Sequence, residues 1–401
     1  MSAITASIGT SLNPDTREAV HDALERARAG LAGKAPAVAV VTTTVDHPAK
    51  TSFAAFREGL GSNVAIHGAT TSLGVLGHGG VIAGPDGSVG VMLLTADEGA
   101  HLLTASGAIG ANARDSGRDA ARQLSVRAKG LGDPRAILLH ASPGKEEELL
   151  VGIAEVFPQA PVFGGSAADH AIAGEWSVFT EEGPQGNALS MVGFFGDLRA
   201  GGALVAPFEP SGSEGRVTAA DDRVLASVDG RPAADVLGEW VGGAIDFQVR
   251  EGGNVLAQTA LRPLGKRRRG TDGDHFVTIH PAQIKRPAGT VDLFARTETG
   301  ETLCAMRGTR EGLIEAIPRV VADALATTGL KKDEVRAAIL IYCAGCAGSV
   351  GALLDEGLKR HLGAQLPGIP LLGFCTFGEQ GHVPGLGNVH QDLSLSLLLV
   401  G

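Results

Sequence analysis

With 401 residues, 34 Lys and Arg against 44 Asp and Glu, and a formal charge of −10, the chain lacks the excess of cations that broad binding to nucleic acid or an anionic membrane requires. Aromatic residues make up 4%, too few for a stacking surface against single strands, and four cysteines in so long a chain make no disulfide framework. At about 150 residues per domain the length gives two or three globular domains, and the 58 glycines forecast tight turns and close approaches of backbone.

One pattern recurs three times along the chain: an amphipathic helix, an apolar strand, a polar or Gly-rich loop, a second helix and a short strand that runs into Gly and small polar residues. The first copy opens at Asn13-Pro14-Asp15, with Asn13 as the expected cap and Pro14 at the first helical position. Its strands are expected at Ala37–Val41 and Val64–Ile66, with a helix over Thr51–Leu60 between them. The second copy has helices near Asp115–Lys129 and Glu146–Phe157 and strands at Ala136–Leu139 and Pro161–Phe163. The third has a helix over Gly312–Thr327 that Pro318 should kink, a strand at Ala338–Tyr342, a helix near Ser349–His361 and a strand at Pro370–Leu372. A hairpin is expected after each copy: Val81–Leu94 about the Pro85-Asp86-Gly87 turn, Trp176–Phe179 against Leu189–Phe194, and a last strand over Asp392–Val400. The polar stretch Pro207–Asp222 reads as the boundary between a domain over 1–210 and a second over 211–401, the latter with a β-rich insert near 240–310. The fold expected is therefore α/β: two domains of related helix–strand–helix–strand units, with mixed sheets extended by hairpins.

Ligands of open α/β sheets sit beyond the carboxyl ends of the strands. The loops there, Thr42–Pro48, His67–Ser72, His140–Lys145, Gly164–His170, Tyr342–Ala347 and Phe374–His382, are expected to converge on one cleft. Glycines in them free backbone N–H groups for a ligand, and the hydroxyls of Thr70 and Ser72 add adaptable hydrogen bonds.

Three stretches carry a family resemblance. Pro161-Val-Phe-Gly-Gly-Ser-Ala-Ala-Asp-His170 resembles the Gly-Gly-Ser-Ala-x-Asp signature of the N-terminal FIST domain. Val228-Asp-Gly-Arg-Pro-Ala-Ala-Asp-Val236 is similar to the opening of the C-terminal FIST domain, and Leu372-Gly-Phe-Cys-Thr-Phe-Gly-Glu379 to its close. The resemblance implies a sensory module for small ligands such as amino acids, with Ser166, Asp169, Thr376 and Glu379 on matching motif positions; some relatives are reported to bind haem. Cys375 stands where that family often has an aromatic, and no output domain follows residue 401, so signalling would pass through a separate partner.

Three functions are carried forward. The leading one is binding of a metabolite or amino-acid-like ligand between the two domains, with Thr70, Ser72, Ser166, Asp169, Thr376 and Glu379 as contacts. The second is a cysteine-dependent hydrolase or lyase acting on a small carbonyl compound, with Cys375 or Cys343 as nucleophile and His170 or Glu379 moving protons. The third is a haem-based gas sensor. Cys343-x-x-Cys346 also reads as a redox pair, as part of a metal site completed by His382, or as small side chains packed in a core. No metal ligand set and no resident cofactor are assigned. Lys266-Arg-Arg-Arg269 reads as a solvated basic loop.

Overall fold

A computed structural model describes residues 4–97, 99–271 and 273–401. The chain is built from three units of one design. The first comprises β1 (Ile4–Ser11), α1 (Thr16–Ala29), β2 (Val38–Thr43), α2 (Ala49–Leu60), β3 (Ala65–Thr70), the hairpin β4 (Val75–Gly77) and β5 (Gly80–Ile82), and β6 (Val89–Ala96). The second repeats this as β7 (Ala100–Ala108), α3 (Ala113–Arg127), β8 (Ala136–Ala141), α4 (Glu146–Ala154), β9 (Val162–Ser166), β10 (Val178–Thr180), β11 (Gly183–Gln185) and β12 (Ala188–Gly196).

The third unit starts with β13 (Ala200–Val205) and is then interrupted by an insert. The insert holds β14 (Glu209–Asp221), β15 (Val224–Val228), β16 (Arg231–Pro232), α5 (Ala233–Trp240), α6 (Asp246–Glu251), β17 (Gly253–Asn254), α7 (Leu256–Thr259), β18 (Leu264–Arg269), β19 (Asp274–Ile279), β20 (Pro281–Lys285), β21 (Thr290–Leu293) and β22 (Thr302–Arg307). The unit resumes with α8 (Arg310–Thr328), β23 (Ala337–Cys343), α9 (Ala344–Val350), α10 (Leu353–Gln365), β24 (Leu371–Thr376), β25 (Glu379–Val383), β26 (Gly387–Gln391) and β27 (Leu395–Val400).

The three six-stranded sheets have the same order: β1-β6-β2-β3-β10-β11, β7-β12-β8-β9-β25-β26 and β13-β27-β23-β24-β4-β5. In each, the last two strands are a hairpin donated by another unit. Val178 of β10 pairs with Ala69 of the first unit, Glu379 of β25 with Gly165 of the second, and Leu76 of β4 with Gly373 of the third. The exchange closes a ring, so each unit covers an edge of its neighbour that would otherwise be open for pairing.

Alternation along the strands divides the core. One face of each sheet turns inward: Val38, Val40 and Met92 meet Leu138, Phe163 and Phe194, and Ile339, Phe374 and Leu398. The other faces take the helices, α1 and α2 on the first sheet, α3 and α4 on the second, α8 and α10 on the third. Strands apolar on both faces, such as β2 and β23, are what this arrangement requires.

Several expectations are corrected. Each unit begins with a strand ahead of its first helix. The α1 cap is Asp15, whose carboxylate accepts the N–H groups of Arg17 and Glu18, and not Asn13. Val81–Leu94 is no hairpin: β5 turns back on β4, while β6 pairs with β1 and β2. Trp176–Phe179 does not pair with Leu189–Phe194 either: β10 pairs with β3 and β11, while β12 runs between β7 and β8. Within Pro207–Asp222, β14 lies between β15 and β22 in the insert sheet. The run Lys266–Arg269 belongs to β18: Lys266 is buried with its Nζ on the Arg296 carbonyl, and Arg267 and Arg268 pair with Glu214 and Glu301.

Candidate functional site

The carboxyl ends of β3, β9 and β24 meet on the axis of the ring. Ala168 N–H donates to the Thr70 carbonyl at 3.0 Å, Phe377 N–H to that of Ser166 at 3.3 Å, and Ser72 N–H to that of Cys375 at 3.0 Å. These three bonds are one contact made three times, each linking a different pair of units. Inside the first and second units the parallel strands also approach closely. Gly68 and Gly164 have φ of +147° and +152°, and a Cβ there would lie 1.9 Å from the Val41 carbonyl oxygen and 1.8 Å from that of Leu139.

Above this junction lies a cavity of about 580 Å³. Ser72 and Leu73 line it from the first unit, His170 and Ile172 from the second, and Cys343, Gly345, Ser349, Thr376, Phe377 and Asp392 from the third. The insert closes the other side with Asn254, Leu256, His280 and Phe294, and Arg310 stands where α8 begins. Ion pairs fasten the insert to the second unit: Lys145 to Asp222, Arg223 to Glu146 and Glu147, and Arg296 to Glu148.

The expected contacts divide sharply. Ser72, Thr376, Cys343 and His170 reach the cavity. Asp169 does not: its carboxylate accepts the N–H groups of Ala171, Ala173 and Glu175 at 2.9 Å each, which shapes the loop carrying His170. Thr70 exchanges hydrogen bonds with the backbone of Ser177. Ser166 donates to Glu146 at 2.6 Å and receives a bond from Gln380. Glu379 is fully buried, accepting from Thr376 Oγ1 and from the N–H and hydroxyl of Ser394; burial and the nearby Cys343 thiol hold its carboxyl well above the usual range. Both nitrogens of His170 are engaged, Nε2 by Asp46 and Nδ1 by the Leu73 N–H.

The four cysteines also differ. Cys375 has no exposure, and burial pushes its thiol up, so it is not the attacking group expected of it. Cys343 lines the cavity. A hydrogen bond from the Cys346 thiol, helped by the N–H groups of Cys346 and Gly345, draws its pKa down against the opposing effect of burial. Cys346 lies beneath it, fully buried, with its proton held firmly. Cys304 sits apart in the insert beside Arg267 and Glu214. His382 bonds Asn388 and lies outside the cavity, so it completes no metal site with the pair.

The residues missed in the sequence are the charged ones. Asp392 follows β26; its Oδ2 accepts the His280 N–H at 2.9 Å, its Oδ1 lies 3.8 Å from His390 Nε2, and burial raises its pKa to about 6. His280 lowers to about 4 through burial and places Nε2 on the Leu256 carbonyl. Arg310 makes no ion pair among the described residues. A helix-opening Arg carries no sequence signal for this role, since its neighbours in space come from an insert whose position no local pattern gives.

Two further groupings were tested for a cofactor or metal. Of the imidazoles on the cavity wall, His170 has both nitrogens engaged, whereas His280 bonds the Leu256 carbonyl through Nε2 and has no hydrogen-bond partner at Nδ1 among the described residues. Glu146, Glu147 and His390 bring ligand-type atoms within 4.8 Å of one another, but the Arg223 guanidinium already supplies their cation at 2.6 and 3.0 Å.

The three mixed α/β units form a ring with a ligand-sized hollow on its axis. The chain belongs to the FIST family: the model of the FIST N domain matches residues 37–231 and that of the FIST C domain residues 233–382. FIST domains are ligand-binding sensory domains that take small molecules. Solved structures similar to the chain include two of cyanuric acid hydrolase, one described as evolutionary innovation by structural concatenation and one from A. caulinodans. Both are 10% identical, cover 100% of this chain and 99% of the other, and have TM-scores of 0.38 and 0.40. A chorismatase is 11% identical, covering 100% and 98%, with a TM-score of 0.36. Comparison with curated protein sequences gives no match. No helix among the described residues is long and apolar enough to cross a membrane.

Proposed function

We propose that the chain is a receptor for a small carboxylate-bearing metabolite, amino-acid-like in size, held in the axial cavity. The observation that carries this reading is the cavity's supply of unspent polar groups. Arg310 offers a guanidinium with no ion pair, and the Ser72 hydroxyl makes no side-chain hydrogen bond among the described residues. Phe294, Phe377 and Leu256 supply apolar wall. A guanidinium takes a carboxylate as a two-point clamp, which fixes orientation as well as charge. Because all three units and the insert line the hollow, an occupant is sensed by every part of the molecule, and a separate partner can read the change.

A thermal-shift screen of amino acids and small carboxylates tests this. Some are expected to raise the Tm, and Arg310→Ala should weaken the best of them by about tenfold or more while leaving the unliganded Tm nearly unchanged. A library without a single stabilising carboxylate, or undiminished binding in the variant, contradicts the proposal.

The second reading, a cysteine-dependent hydrolase or lyase, is favoured by one observation: Cys343 lines the cavity with a thiol drawn towards ionisation. In that reading Cys343 attacks and Asp392, with its pKa near neutrality, carries the proton.

A further inference from the structure

The Cys343-Ala-Gly-Cys346 segment sits where β23 passes into α9, on the parallel crossover that leads through α10 to β24. Cys343 ends β23, and Cys346 lies three residues on in the first turn of α9. Only Cys343 borders the cavity; Cys346 is sealed below it. A buried carboxylate, Asp392, borders the same cavity. A thiol on the cavity wall, a buried thiol three residues on and a buried carboxylate beside them are the parts that thiol–disulfide exchange needs.

We infer that Cys343 and Cys346 form a redox-active dithiol that exchanges with a low-molecular-weight disulfide carrying carboxylates, bound in the axial cavity. The inference rests on the reading of that cavity as a ligand site, and names a substrate class for it. The Cys343 thiolate attacks one sulfur of the bound disulfide; that S–S bond breaks and one half leaves as a thiolate, with the other half joined to Cys343. Cys346 then gives its proton to the Asp392 carboxylate, and its sulfur attacks Cys343. The Cys343–Cys346 bond forms as the second half leaves as a thiolate. Two electrons pass from the protein dithiol to the substrate disulfide, and the proton held by Asp392 is released to solvent. Arg310 supplies the cation for a substrate carboxylate, and the ordering of the two sulfurs fixes Cys343 as the attacking group and Cys346 as the resolving one.

The test uses the full-length reduced protein, cystine as the probe, and intact-mass spectrometry with peptide mapping. The wild type is expected to lose two hydrogens and to yield a peptide linking Cys343 to Cys346. Cys346→Ser should instead accumulate one half-cystine adduct on Cys343, and Cys343→Ser should show neither product. An unchanged wild-type mass in excess cystine, a disulfide mapped to Cys375 or Cys304, or oxidation unaffected by Cys343→Ser overturns the inference. The two readings fail separately. If small carboxylates raise the Tm while no disulfide forms, exchange is wrong and the receptor stands; if they do not raise it, the receptor reading falls by its own test.

Discussion

Buried histidines bridge the first two units. Ser190 Oγ, His67 and His140 form a chain of two 2.8 Å hydrogen bonds between the first and second units, and the His140 ring rests against Phe374 at 4.5 Å between centroids. Burial lowers His140 to about 3 and holds His67 well below 6.5. A histidine whose folded pKa is depressed leaves the unfolded chain binding the extra proton, so its contribution is intact above about pH 6.5 and declines as pH falls towards the folded value. Asp392 acts with the opposite sign: its raised pKa makes the folded state take up the proton first, and stability from this group grows as pH falls through about 6. Urea unfolding across pH 4–6 should therefore show stability falling with acid, and His140→Gln should flatten that slope by about 1.4 kcal/mol per pH unit. An unchanged slope would mean that His140 accepts its proton in the folded state. Residue identity in the sequence marked His67 and His140 as loop candidates, but not that they face the sealed interior; that follows from the strand register, which β3 and β8 carry two or more residues beyond their apolar runs. The motif residue Asp169 was recognisable for the same reason that misassigned it, since a carboxylate holding a loop and one holding a ligand look alike in one dimension.

At the scale of elements, the helices and doubly buried strands were legible because their periodicity is local. The strands opening each unit were not: Ile4–Ser11, Ala100–Ala108 and Ala200–Val205 are diluted by Gly, Ser and Thr. Hairpin partners were misread because sequence proximity favours the nearest strand, whereas each hairpin here leaves its unit to pair with another. Gly68 and Gly164 show what the parallel pairing inside a unit demands. Gly68→Ala and Gly164→Ala should each cost about 3 kcal/mol or more, because the new Cβ meets a carbonyl that the neighbouring parallel strand cannot move. Gly130→Ala is the comparison: φ is +88° there too, but nothing lies within 4 Å, so strain alone should cost about 1–2 kcal/mol. Chemical denaturation of the three variants decides it, and equal losses at all three would contradict the close packing of these parallel strands.

The whole molecule follows from the ring. Since β13 pairs with β27 and the β4–β5 hairpin completes the sheet of β24, the third unit's sheet draws strands from both sides of residue 210. Repetition in the sequence announced three units, and the expected meeting of loops came from where Gly-rich segments follow strands. The covering wall from the insert was out of reach, because β17, α7 and β20 are short elements whose place over α9 depends on the complete nine-stranded sheet. The account's central claim is that this composite hollow is where the ligand sits. Crystallography of the protein with the most stabilising carboxylate of the screen is the direct measurement. Density inside the cavity is expected, with the carboxylate within hydrogen-bonding distance of Arg310 and the remainder between Ser72 and Cys343. A ligand bound at any other surface, with the axial hollow holding only solvent, would contradict it.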